Sequence, residues 1–315
     1  MRLLARLAAT GALVFAAALC PGAQSGSFSG AMEVIHGKPY VMVMVNGKGP
    51  FRFIIDTGTG GQAIVTSELA SQLALPFAGE ARLNDPTGKG GQSAPLRMID
   101  SLQFAGVEFA AVKAIEHRLP NAEGNCQGML GFTLFRDYLL TLDYPNGRIL
   151  LARGGLKADG GKSVHPFRMP DGVPVTTLTI GKIEVEAQFD SGGAGLSLPE
   201  RLTSQLHFSE SPTIFGKGQS LSTRFPIKAA KLATDIRLGD ITLDRPWVEI
   251  NPAFPLANFG SYPMQHFIIT FDQANLLLRL DGPRKRVTLG VTPAPLRLDN
   301  APASDRGDLA LVPIG

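Results

Sequence analysis

Two short stretches of this 315-residue chain carry the residue types of acid–base chemistry. Phe51 to Ile55 is a β-favouring run that delivers a carboxylate into Asp56-Thr57-Gly58-Thr59-Gly60. Val185 to Phe189 does the same for Asp190-Ser191-Gly192-Gly193, and no other Asp-Thr-Gly or Asp-Ser-Gly triplet occurs. Two carboxylates brought face to face cannot both ionise comfortably, so they share one proton and titrate as a unit. The charged member can draw a proton from water while the protonated one polarises a carbonyl. Glycine after the hydroxyl residue lets backbone N–H groups come close to the carboxylates.

The rest of the chain reads as scaffolding for that pair. Tyr40 to Val45 predicts a strand, Asn46-Gly47 a hairpin turn, and Phe51 to Ile55 a second strand ending at Asp56. Thr66 to Leu75 predicts a short helix capped by Thr66, with Leu69 and Leu73 on one face. Gly128-Met129-Leu130-Gly131 leads to Tyr138 to Asp143 and a turn at Pro145-Asn146-Gly147. Residues 153–163 read as a linker; their glycine spacing is wrong for a phosphate loop, and Pro166 breaks the helix such a loop must open into.

The second half then repeats the first. Asp56 and Asp190 are 134 residues apart; Leu69-Ala70-Ser71-Gln72-Leu73 returns as Leu202-Thr203-Ser204-Gln205-Leu206, shifted by 133. Gly131 returns as Gly260 and Thr141-Leu142-Asp143 as Thr270-Phe271-Asp272, both shifted by 129. Gly88-Lys89-Gly90-Gly91-Gln92-Ser93 reads as returning in Gly216-Lys217-Gly218-Gln219-Ser220, shifted by 128. The preserved order argues for tandem duplication. A single such triplet arises by chance in roughly one protein in six or seven of this length. Two at equivalent places of a duplicated chain do not have that explanation.

This pattern resembles the pepsin and retropepsin clan of aspartic peptidases, closest to bacterial secreted members whose two lobes each resemble a retropepsin subunit. The resemblance covers about Ala31 to Leu280. It implies an all-β, bilobal architecture of two similar β-barrel lobes with a few short helices, a catalytic dyad of Asp56 and Asp190, and a polypeptide substrate. It implies that Thr57 and Ser191 hydrogen-bond across the lobes, that Thr59 hydrogen-bonds Asp56, and that Gly58 and Gly192 complete the support of the dyad. The paired glycine-rich loops then read either as ordinary solvated turns inherited from duplication or as two hinged flaps, with Gly88, Gly90, Gln92, Gly216, Gly218 and Gln219 near the substrate backbone. Two departures stand out. Gly193 occupies the place of a hydroxyl residue, and Asn258-Phe259-Gly260 replaces the apolar-apolar-Gly of Met129-Leu130-Gly131, which leaves the second loop less well braced. They motivate an alternative: a weak or inactive relative that binds extended peptides by strand addition in the inter-lobe cleft.

Composition bounds the remainder. Arg2 and Arg6 precede an apolar run from Leu7 to Leu19 and small residues follow, the pattern of a secretory signal peptide. The run is shorter than the roughly 20 residues of a membrane span. Cys20 raises a lipid anchor as an alternative, against which stands Leu19 where a small residue belongs. The chain has 30 basic and 27 acidic residues, and removal of Arg2 and Arg6 leaves 28 against 27, so nucleic acid is not an expected partner. His36, His117, His165, His207 and His266 are scattered without ligand spacing, so neither a metal nor another cofactor is expected. Asp143 and Asp272 read as turn carboxylates, and Cys126 as an inert thiol. The expected organisation is a signal peptide (1–23), an N-terminal lobe (24–155), a C-terminal lobe (156–290) and a Pro-rich tail (291–315), in a monomer exported to a bacterial periplasm or cell envelope.

Overall fold

The computed structural model describes residues 26–85, 87–88, 90–119, 125–219 and 224–290, with the backbone alone at 218–219 and 311–313. The segment expected to be a signal peptide lies outside these residues. Three sheets and a few short helices make up the fold. One sheet of eight strands is built from residues 33–131, and one of eleven strands from residues 175–287 with Leu311–Pro313 at its edge. A six-stranded sheet joins the halves, with Ser27–Ala31, Arg148–Ala152 and Leu139–Asp143 from the first and Ile268–Asp272, Leu277–Asp281 and Val164–Pro166 from the second. The architecture is all-β and bilobal, as the resemblance implies.

The local reasons are visible in the sequence. The first hairpin pairs Lys38–Val45 with Lys48–Asp56, and Asn46 and Gly47 supply the two positive φ angles, 49° and 71°, that a tight turn matching strand twist requires. The expected strands are therefore right and longer than read. Each half then threads the same way. Lys48–Asp56 runs parallel to Gly128–Gly131, and Ile183–Asp190 runs parallel to Ala257–Gly260. Phe53 and Ile55 on one face of the first strand, and Phe189 stacked on Phe259 at 4.6 Å in the second half, anchor both pairings in the core. Burying such side chains contributes about 2–3 kcal/mol each.

The equivalent strands meet at an approximate two-fold axis. Leu139–Asp143 pairs antiparallel with Ile268–Asp272, and Thr141 faces its own repeat, Thr270, with hydroxyls 2.9 Å apart. Asp143 and Asp272 cap turns, each accepting the backbone and side-chain amides of an asparagine three residues on, as expected.

The halves differ at the short helix. Ser67–Gln72 is an α-helix whose cap, Thr66, accepts the Leu69 amide at 3.2 Å; its counterpart Glu200–Gln205 is a 3-10 helix with Pro199 at the cap and no side-chain bond there.

The glycine-rich segments need a correction. Phe77–Asn84 pairs with Gly91–Phe104, so Gly88 and Gly90 lie between the paired strand ends and Gln92 lies just beyond them, opposite Leu83. Gly216, Gly218 and Gln219 lie before the corresponding tip, inside the strand Phe208–Gln219, opposite Ile227, Phe225 and Arg224. The two segments are thus not equivalent. Pairing partners give the reason: Ile64 with Ile115 and Ser197 with Glu249 are 133 and 134 residues apart between halves, and Met129 with Asn258 is 129. The repeat loses five residues after the hairpin, where 118–127 is matched by the shorter 252–256, so an offset of 128 at the hairpin is a compositional coincidence.

Candidate active site

Both aspartates stand at the last residue of a buried strand, opposite a glycine: Asp56 opposite Gly131 and Asp190 opposite Gly260. Apolar strands carry them inward, so Asp56 is 1% exposed and Asp190 3%. The two carboxyls come from opposite halves and are brought together under each other's loops. A Cβ on Gly58 would lie 2.5 Å from Asp190 Cγ, and one on Gly192 would lie 2.4 Å from Asp56 Cγ. Glycine is therefore required at both positions: each loop crosses the opposite carboxylate at a distance that admits only hydrogen.

The loops are locked to one another by four reciprocal bonds. Thr57 N–H donates to Ser191 Oγ at 3.0 Å, and Ser191 N–H donates to Thr57 Oγ1 at 3.0 Å. The two hydroxyls then donate onward, Thr57 to Phe189 O and Ser191 to Ile55 O, both at 2.7 Å. All four groups are buried, so each bond is costly to break.

The carboxylates are held in similar but unequal ways. Gly58 N–H donates to Asp56 Oδ1 at 2.8 Å, and Thr59 Oγ1 donates to Asp56 Oδ2 at 3.0 Å. Asp190 Oδ1 accepts two amides, Gly192 at 2.9 Å and Gly193 at 2.8 Å. Burial, then the charge of Asp56, holds the Asp190 carboxyl above the ordinary carboxylate range, while the two amides pull it back. Burial first, and the two aspartates after it, also raise the neighbouring Tyr144 phenol.

Gly193 and Asn258 belong together. Thr59, the counterpart of Gly193, lies against Met129 Sδ at 3.4 Å; Met129 is the counterpart of Asn258. A Cβ on Gly193 would stand 2.4 Å from Asp190 Oδ2 and 2.7 Å from Asn258 Nδ2. The missing hydroxyl is replaced by the Gly193 amide, and the vacated space is filled by Asn258. The second loop is also well braced, contrary to expectation: Gly260, Ser261 and Tyr262 donate their amides to Gly195, Gly193 and Ala194 at 3.0, 2.7 and 2.9 Å.

Of the other residues singled out, Gln92 lies at a strand start with Nε2 3.3 Å from His117 Nδ1. Cys126 is partly buried, and burial raises its thiol pKa, which suits an inert role. No group of three His, Cys, Asp or Glu side chains able to hold a metal occurs among the described residues.

Sequence reasoning missed Glu249, 5% exposed, and its strand neighbour Ser197. The available signal was a lone acid amid the apolar residues of Trp247-Val248-Glu249-Ile250.

Residues 41–134 match the aspartyl protease family model. That stretch contains Asp56 and its strand partners through Gly131, the first half of the site. A search of curated proteins finds no match to the chain. The match supports a peptidase of the pepsin and retropepsin type, for which a polypeptide is the substrate. No helix among the described residues is long and apolar enough to cross a membrane.

Proposed function

We propose that this protein is an aspartic endopeptidase in which Asp56 and Asp190 share one proton and activate a water between them. The supporting observation is the reciprocal lock of Thr57 and Ser191, which fixes two buried carboxyls on loops of opposite halves, each loop crossing the other's carboxylate. A pair held this way suits a water placed against both carboxyls. The ionised carboxylate takes its proton as the oxygen attacks the scissile carbonyl, and the protonated carboxyl donates to the developing oxyanion. Collapse returns a proton to the amine leaving group and restores the shared state. Both carboxyls come from one chain, so a monomer suffices. Export to a periplasm or cell envelope is part of the proposal and rests on the segment from Arg2 to Ala23.

The binding-only alternative rested on Gly193 and Asn258. The Gly193 amide bond to Asp190 and the bracing of the second loop weaken that motive. The deciding experiment is cleavage of an unfolded polypeptide by purified protein, with fragments read by mass spectrometry. Fragments from the wild type and none from Asp56→Asn are expected; equal cleavage by both, or none by either, overturns the proposal.

A further inference from the structure

Each aspartate ends a strand, and the residue two places earlier lies on the same face. In the N-terminal half this residue is Ile54, and the strand register extends from it to Met129, Ile64 and Ile115. In the C-terminal half it is Gln188, and the register extends to Asn258, Ser197 and Glu249. The two rows are equivalent strand by strand and flank the aspartates from opposite halves. One is wholly apolar and the other wholly polar.

The polar row is not internally satisfied. Glu249 is 5% exposed, and its Oε1 has no hydrogen-bond partner; Asn258 Oδ1 is likewise buried without one. Both atoms are acceptors. The Glu249 carboxylate lies under the loop that follows Asp190, where a Cβ on Gly195 would be 2.4 Å from Oε1. At the other end of the row, Gln188 Nε2 would be 2.9 Å from a Cβ on Gly58. The row therefore starts beside the aspartates and ends at a buried carboxylate. Burial pushes that carboxyl up to about 7, a cost that a cation beside it would reverse. Among protein side chains, those that bring several donors and no acceptor are Lys and Arg.

The geometry points to an asymmetric substrate cleft, in which the N-terminal row receives an apolar side chain on one side of the scissile bond and the C-terminal row receives Lys or Arg on the other. This rests on the peptidase reading given above. A long aliphatic stem passes Gln188 and Asn258, and its charged end meets the unpaired oxygens. An apolar side chain in the same place leaves both acceptors unmatched, which is the stronger source of discrimination.

The test uses the purified full chain and peptides that differ at the two residues flanking the cleavage site. One is held as Leu, the other is Lys, Arg, Leu, Gln or Glu, and both orders are made. The expected result is a kcat/KM for Lys or Arg at least about tenfold above that for Leu, in one order only. Glu249→Gln is expected to lower the ratio of Lys to Leu by about tenfold. Asn258→Leu, should the first variant fail to fold, is expected to lower the same ratio. Equal rates for Lys and Leu in both orders, or a ratio that neither variant changes, overturns the inference while leaving the peptidase reading intact. Absence of cleavage of every peptide overturns the peptidase reading instead. Calorimetric binding of the same peptides then decides the subsite: weaker binding of the Lys peptide to Glu249→Gln supports it, and equal binding overturns it.

Discussion

The two halves share a backbone plan and surround their aspartates with different chemistry. Asp56 is held by one amide and one hydroxyl, and the row beside it is Ile54, Met129, Ile64 and Ile115. Asp190 is held by two amides, and the row beside it is Gln188, Asn258, Ser197 and Glu249. On the approximate two-fold axis the halves stay alike, with Thr57 against Ser191 and Thr141 against Thr270. Each half constrains the other there, because one side chain must serve as both donor and acceptor to its own repeat. Away from the axis no such reciprocity holds, and the halves are free to diverge.

The comparison breaks most severely at its centre. Asp56→Asn and Asp190→Asn should each lower kcat by on the order of 10³-fold or more, and the double variant should be no worse than either, because the carboxyls act as one unit. The melting temperature reports whether the fold survives. Wild-type turnover in either variant removes that residue from the reaction. Activity should also fall as pH rises through about 7, as the proton that burial and Asp56 hold on Asp190 is lost.

Making the halves alike should harm the enzyme. Gly193→Thr restores the residue type of Thr59, yet its Cβ would stand 2.4 Å from Asp190 Oδ2 and 2.7 Å from Asn258 Nδ2. The expected loss in kcat is on the order of 10²-fold, the effect of displacing a reacting group by about 1 Å. Asn258→Ala should recover part of it by vacating the space. If Gly193→Thr is fully active alone, the two positions are not coupled as the geometry requires.

Glu249 gives a difference in stability. It replaces Ile115 of the first half and carries a pKa of about 7 against an ordinary carboxyl near 4.5, because burial opposes its charge. A raised carboxyl pKa means that the folded state holds the proton more tightly. Stability is unaffected at pH values below about 4, declines as pH rises toward 7, and stays reduced above it. At 1.36 kcal/mol per pK unit, the penalty reaches at most about 3 kcal/mol. Glu249→Gln should therefore match the wild type in denaturant unfolding at pH 4 and exceed it at pH 8. A constant difference across that range would show that Glu249 is not buried as a charge.

How much of this was legible follows from the same contrast. The triplets, the strands that deliver them and the capped helix at Thr66 were readable, because each is set by local patterning that the backbone enforces. The role of Thr57 and Ser191 followed from the family resemblance. The Gly216 to Ser220 segment was misplaced because glycine and lysine near a hairpin tip recur by composition, while the true offset is fixed by which strands pair. The polar row was invisible because its members lie 61 residues apart, from Gln188 to Glu249, and become neighbours only through three separate strand pairings. Gly193 and Asn258 were each noticed as departures, but a compensating pair reads as two defects until the distance between them is known.

The smallest effect tests the likeness on the axis. Thr141 and Thr270 lie opposite one another in the sheet that joins the halves, and their hydroxyls are 2.9 Å apart. Thr270 is buried, so Thr141→Val strands a hydroxyl away from water. That should cost about 1–2 kcal/mol in denaturant unfolding, since an unmatched polar group retains its desolvation penalty. Thr270→Val leaves the Thr141 hydroxyl without its partner, and the cost should be smaller because Thr141 is only partly buried and can reach water. The double variant removes both hydroxyls and keeps the branched shape that a strand favours, so it should recover most of the loss. A double-mutant cycle reads this as a favourable coupling of roughly 1 kcal/mol. Additive losses would instead mean that each hydroxyl has its own support and that the axis is not a shared contact. Turnover should change little throughout, because this contact holds the halves together without touching the aspartates.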